Sequence, residues 1–188
     1  MAGQSGMVGS GSAQAETPRA AMIHFVADLH FDCDPSRHGP GHGLADNTEI
    51  TRRICDVWRA RVAPQDTVWI LGNVGNAVHL AGLNGTKHLI RGTYDPQPWN
   101  CLATGRYASV SEARWLETEH GTLELVCDPA RASSEVTGDL RVLHGFAHGQ
   151  RSDWTRRGFL CVSAARTGWG PVSLDAIVRG EVALRQAA

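Results

Sequence analysis

The apolar residues of this chain fall into short runs that end repeatedly in polar residues. Residues 22–27 (MIHFVA) make a mostly apolar run rich in strand formers, followed at once by Asp28-Leu29-His30. A buried strand that delivers polar side chains at its end is how α/β domains build sites. Residues 32–45 are rich in Gly, Pro and Asp and read as a loop. Asp46 then opens a helix, with Glu49 three positions on completing a capping box. Ile50, Ile54, Val57, Trp58 and Val62 supply its apolar stripe at helical spacing. After a turn at 64–66, Thr67–Leu71 reads as a second buried strand that ends at Gly72-Asn73.

The pattern continues with a short helix over 74–83, closed by Asn84-Gly85. Residues 87–90 predict a third strand ending in Arg91-Gly92-Thr93-Tyr94-Asp95, which Pro96 and Pro98 stop. Later strands are expected at 122–127, 140–143 and 159–162, the last running into a Gly-rich turn and a helix near Ser173. Helices and strands alternate early and strands dominate later. The expected fold class is therefore α/β, with a mixed sheet, two sheets packed together and helices outside.

Composition narrows the function classes. A chain of 188 residues holds one ordinary domain. Eighteen Lys and Arg against nineteen Asp and Glu leave a net charge of −1, which gives no broad footprint for nucleic acid or anionic lipid. Five scattered cysteines without a C-x-x-C pair are neither a disulfide framework nor a zinc knuckle, and suit a reducing cytosol. No apolar run approaches the roughly 20 residues that span a bilayer. Residues 1–21 are rich in Gly, Ser and Ala without a signal-peptide pattern, so they read as a flexible tail before a domain over 22–188.

Nine histidines raise the question of a metal site. Asp-x-His, Gly-Asn and Gly-Thr-Tyr-Asp stand at the ends of three early strands, and His144-Gly145-Phe146-Ala147-His148 at the end of a fourth. A sheet brings such strand ends together, and carboxylate with imidazole suits Zn, Mn or Fe.

The same segments, in this order, resemble the calcineurin-like metallophosphoesterase family, and the likeness runs from Met22 to about Val178. MIHFVADLHF resembles its opening D-x-H strand, DTVWILGNV its G-D strand, LNGTKHLIRGTYD the segment ending in R-G-N-H-D, and VLHGFAHG its L-H-G-H-x-H-G. GWGPVSLDAI matches the closing segment of the compact bacterial and phage members. The resemblance implies a four-layer α/β/β/α sandwich, and two metals that polarise a phosphoryl group and generate hydroxide.

Carried over residue by residue, that metal centre is incomplete here. Asp28, His30 and His148 match first-metal ligands, while the bridging Asp becomes Asn73, whose amide oxygen can complete a site for one cation with those three but lacks the charge to bridge two. At the second-metal positions stand Thr93, Cys127 and Phe146, and Tyr94 replaces the His that assists the leaving group. Asp95 is retained, and His144 reads as a buried supporting histidine. The expectation is at most one divalent metal (Zn, Mn or Fe), or none. Hydrolysis is then lost or strongly weakened, and function runs through binding a protein partner or a phosphate-containing ligand. A working mononuclear phosphoesterase and a metal-free interaction scaffold are the alternatives.

The remaining features read as structure. Cys127 is expected to be buried, Trp58 and Trp69 to pack, and His38 and His42 to lie in the exposed loop. His24, His79, His88 and His120 show no partner pattern. Trp154 and Trp169, among Arg- and Gly-rich turns, are candidates for exposure, and RSDWTRR reads as a solvated loop.

Overall fold

The computed structural model describes residues 19–34, 46–133, 141–145 and 158–182. The early apolar runs pair side by side. β1 (Ile23–Val26), β2 (Thr67–Leu71), β3 (Thr86–Ile90) and β4 (Ser109–Ser111) are mutually parallel, and β9 (Val172–Ser173) adds antiparallel to β1, giving the order β4-β3-β2-β1-β9. A second sheet runs β5-β6-β7-β8. In it β5 (Ala113–Thr118) and β6 (Gly121–Val126) form an antiparallel hairpin, and β7 (Arg141–His144) and β8 (Phe159–Cys161) continue in parallel. The chain is thus mixed α/β with two mostly parallel sheets.

Alternation along β1 and β2 sends side chains into two cores. Val26, Val68 and Ile70 face α1 (Asn47–Arg61), whose Ile50, Ile54 and Trp58 are fully buried against them. Phe25, Ala27, Trp69 and Leu71 face the other way and pack with Leu123, Leu125 and Leu143 of the second sheet. The helix begins as its sequence dictates: the Asp46 carboxylate accepts the Glu49 N–H at 2.8 Å. Parallel pairing places the C-terminal ends of β1, β2 and β3 at one edge, so the three polar strand ends meet there.

Several expectations change. β4 and β5 are strands that the apolar pattern does not mark, because their side chains are half-buried or exposed and no apolar run builds up. Trp169, a candidate for exposure, is buried in the α1-side core, with its backbone at φ 72°. The expected tail through residue 21 is tied down from Arg19, whose guanidinium reaches Asp66 at 2.6 Å. All five cysteines are free, four of them buried, Cys127 included. Among the described residues no helix is long and apolar enough to cross a membrane. Phe146, His148, His38, His42 and Trp154 lie outside the described residues.

Candidate functional site

The ends of β1 and β2 are laced together by backbone hydrogen bonds. Asp28 N–H donates to Gly72 O at 3.0 Å, His30 N–H to Asn73 O at 2.9 Å and Phe31 N–H to Val74 O at 2.9 Å. Four side chains there sit on left-handed backbone: Asp28 at φ 54°, His30 at 42°, Asp32 at 57° and Asn73 at 56°. Such conformations cost of order 1–3 kcal/mol each and persist only where surrounding structure fixes them. They turn Asp28, His30 and Asn73, all buried, into one cluster. The second sheet delivers Gly145 to the same place: a Cβ there would lie 3.2 Å from Asp28 Oδ2.

At the centre of the cluster, the Asn73 amide nitrogen donates to Asp28 Oδ1 at 2.8 Å. Its carbonyl oxygen accepts the Tyr94 backbone N–H at 3.4 Å. These partners fix the orientation of the amide, since the reverse would set oxygen against carboxylate and N–H against N–H. Asn73 is therefore a neutral donor toward Asp28, with a partner at each end.

Asp95 is equally committed. Its carboxylate accepts the backbone N–H of Asn73, Val74 and Gly92, each at 2.8 Å. Burial pushes its carboxyl above the usual range, while those three donors and Arg91 pull the other way. It fastens the β2 and β3 ends to each other.

The second-metal positions offer little. Thr93 is exposed, and Cys127 is packed against Gly72 and Gly92, where any Cβ would collide with its sulfur. Burial, reinforced by Asp28, Asp95 and Asp128, pushes the Cys127 thiol far up, so in the metal-free chain it is a neutral thiol. Tyr94 is 54% exposed, and its ring stands edge-on to His30 with centroids 6.4 Å apart. His144 is buried, with Nδ1 2.5 Å from Gly145 O, and burial lowers its pKa. Among the described residues no group of three or more His, Cys, Asp or Glu is arranged to hold a metal ion. The described residues, which do not include positions 146 and 148, do not by themselves make up a dinuclear centre.

Beside this cluster lies a cleft of about 370 Å³, lined in part by Val74, Val78, Asp95, Cys101 and Tyr107. The exposed apolar side chains Val78, Tyr94, Trp99 and Leu102 belong to the segments that frame it, the last two on α2 (Pro98–Ala103).

Comparison with known proteins adds a fold and nothing more. No protein-family model matches the chain, and no curated protein does. A solved structure, a protein of unknown function, AQ665, from Aquifex aeolicus, is similar with a TM-score of 0.67 at 17% identity, over 85% of this chain and 99% of that one. At that identity the likeness concerns the backbone alone.

Pattern reading missed three clusters that use histidines without an evident partner. His24 is buried against Asp66, with Nε2 3.0 Å from Oδ2. His79 reaches Asp32 at 2.9 Å, beside an Asn76 amide at 2.7 Å. His88 stacks on Trp69, with centroids 4.5 Å apart, and bonds Ser109 at 2.7 Å. The signal for the first lay in the parallel register, which levels Ile23 with Thr67 and so sets His24 near the residue before β2.

Proposed function

We propose that the chain is a divergent member of the calcineurin-like metallophosphoesterase family, in a four-layer α/β/β/α sandwich, that has lost or nearly lost phosphoester hydrolysis and acts by binding. What supports the family reading is the order of its strand-end motifs and the convergence of Asp28, His30 and Asn73 at one sheet edge. What supports the loss of hydrolysis is one contact, the Asn73 amide donating to Asp28. An amide supplies by hydrogen bonding what a cation would supply by charge, and it offers no second anionic oxygen for another metal.

A binding role draws support from the cleft beside the cluster. Exposed Val78, Tyr94, Trp99 and Leu102 give its surroundings the apolar, aromatic character of an interaction surface, which fits a protein partner. Five free cysteines fit the reducing cytoplasm.

The test is hydrolysis of bis(p-nitrophenyl) phosphate by the full chain with Mn²⁺. The expected rate is at background, because removing single catalytic groups already costs orders of magnitude. A robust rate that disappears in His148→Ala overturns this reading in favour of the mononuclear enzyme.

A further inference from the structure

At the opposite edge of the first sheet, by the start of β1, lies a separate cavity of about 510 Å³, a size typical of small-molecule sites. Its walls include His24 and Arg61 and the apolar side chains of Met22, Val172 and Val182. Two features of this wall call for a ligand.

The first is the His24 ring. Its Nε2 faces Asp66, a fully buried residue that also accepts Arg19, Met22 N–H and Ala63 N–H. Burial works against the Asp66 charge, but those donors outweigh it and hold the carboxyl at about 2. A carboxylate only accepts, so the His24 proton sits on Nε2 and leaves Nδ1 a bare lone pair. Burial lowers the pKa of His24 as well, against the pull of Asp66, which keeps the ring neutral. Nδ1 is buried and, among the described residues, has no hydrogen-bond partner. Ser173 stands across the antiparallel pair from His24, but its hydroxyl makes no hydrogen bond to Nδ1 and accepts Ala176 N–H at 3.2 Å. A buried acceptor left unmet is costly, and a donor brought by a ligand removes that cost.

The second is Arg61, at the end of α1. Its Nη1 donates to the carbonyls of Thr167, Gly170 and Pro171 at 3.1, 3.3 and 3.2 Å, which fixes the guanidinium plane. Among the described residues no carboxylate pairs with it. Glu181, on the same wall, is held by Arg179 at 2.8 Å. A fixed guanidinium with free N–H groups is a carboxylate receptor.

We propose that this cavity binds a small organic carboxylate bearing a hydroxyl or amino group. The carboxylate meets Arg61, the O–H or N–H donor meets His24 Nδ1, and an apolar body rests on Met22, Val172 and Val182. The site is independent of the Asp28 cluster and of its proposed role.

Calorimetric titration of the full chain with 3-phenyllactate, phenylalanine and 3-phenylpropionate tests this directly, because the three share one carbon frame and the last lacks the donor. At least one donor-bearing ligand is expected to bind ten times or more tighter than 3-phenylpropionate. Nitrogen NMR should show the His24 Nδ1 resonance moving from a bare to a hydrogen-bonded position on saturation. Arg61→Met should weaken binding at least tenfold. Ala176→Trp, which puts bulk into the cavity and leaves His24 and Arg61 in place, should abolish it at an unchanged melting temperature and guards against a loop disturbed by the Arg61 change. Equal binding of all three, no binding at millimolar ligand, or binding that survives Ala176→Trp overturns the proposal.

Discussion

The two edges of the first sheet each bury an aspartate, and they satisfy it in opposite ways. At the N-terminal edge Asp66 is surrounded by Arg19, a histidine and two backbone N–H groups, and its carboxyl is pulled down to about 2. At the C-terminal edge Asp28 meets the neutral amide of Asn73, on backbone twisted into the left-handed region. The first is an arrangement for stability, a charge fully met within ordinary strand geometry. The second keeps strained backbone of the kind that functional sites carry, and its carboxylate faces an amide donor and not a cation-drawing group. Strained backbone beside a neutral partner is what the proposed turn from catalysis to binding leads one to expect.

The largest effect is expected at the N-terminal edge. Asp66→Ala strands three buried or part-buried donors and the His24 ring, so urea unfolding should show a loss of about 3–5 kcal/mol. A loss under 1 kcal/mol would remove the contrast. Acid should reveal the same carboxylate. Its folded pKa lies below the ordinary 3.8, so its stabilisation is complete above about pH 4 and disappears as pH falls toward about 2. That component amounts to about 2 kcal/mol and should be missing from the pH dependence of Asp66→Asn.

At the C-terminal edge the expected change is smaller and depends on metal. Asn73→Asp sets a second carboxylate against Asp28, which should cost about 1–3 kcal/mol in chelator. Added Mn²⁺ or Zn²⁺ should restore that loss, whereas the native chain should respond little. If Asn73→Asp is neutral in chelator, the amide does not hold Asp28 as described. The smallest effect is expected away from both edges: Arg52→Ala breaks the exposed pair with Asp56 on α1, 2.9 Å apart, and should change stability by less than about 1 kcal/mol.

The sequence carried more of the scaffold than of the site's workings. β2 falls on residues 67–71 as its apolar run predicts, and α1 begins at the Asp46 cap and buries its stripe, because local chemistry and burial agree there. β4 and β5 escaped because an exposed sheet face leaves no apolar signature. Trp169 escaped because its Gly- and Arg-rich neighbours say nothing of the core it enters from a distance. At the site, the positions of Asp28, His30 and Asn73 were legible from motif order, but the direction of the Asn73 amide was not. It is set by Tyr94 N–H, 21 residues away. His24 and Asp66 lie 42 residues apart and meet through strand register alone.

The central claim is that the Asn73 amide has closed the two-metal centre, and metal stoichiometry tests it most directly. Full-length protein, stripped with chelator and titrated with Zn²⁺ and with Mn²⁺, should bind no more than one equivalent. Joint replacement of Asn73→Asp, Thr93→Asn, Tyr94→His, Cys127→His and Phe146→His should add a second. Two equivalents on the native chain, both lost in Asp28→Ala, would contradict the claim.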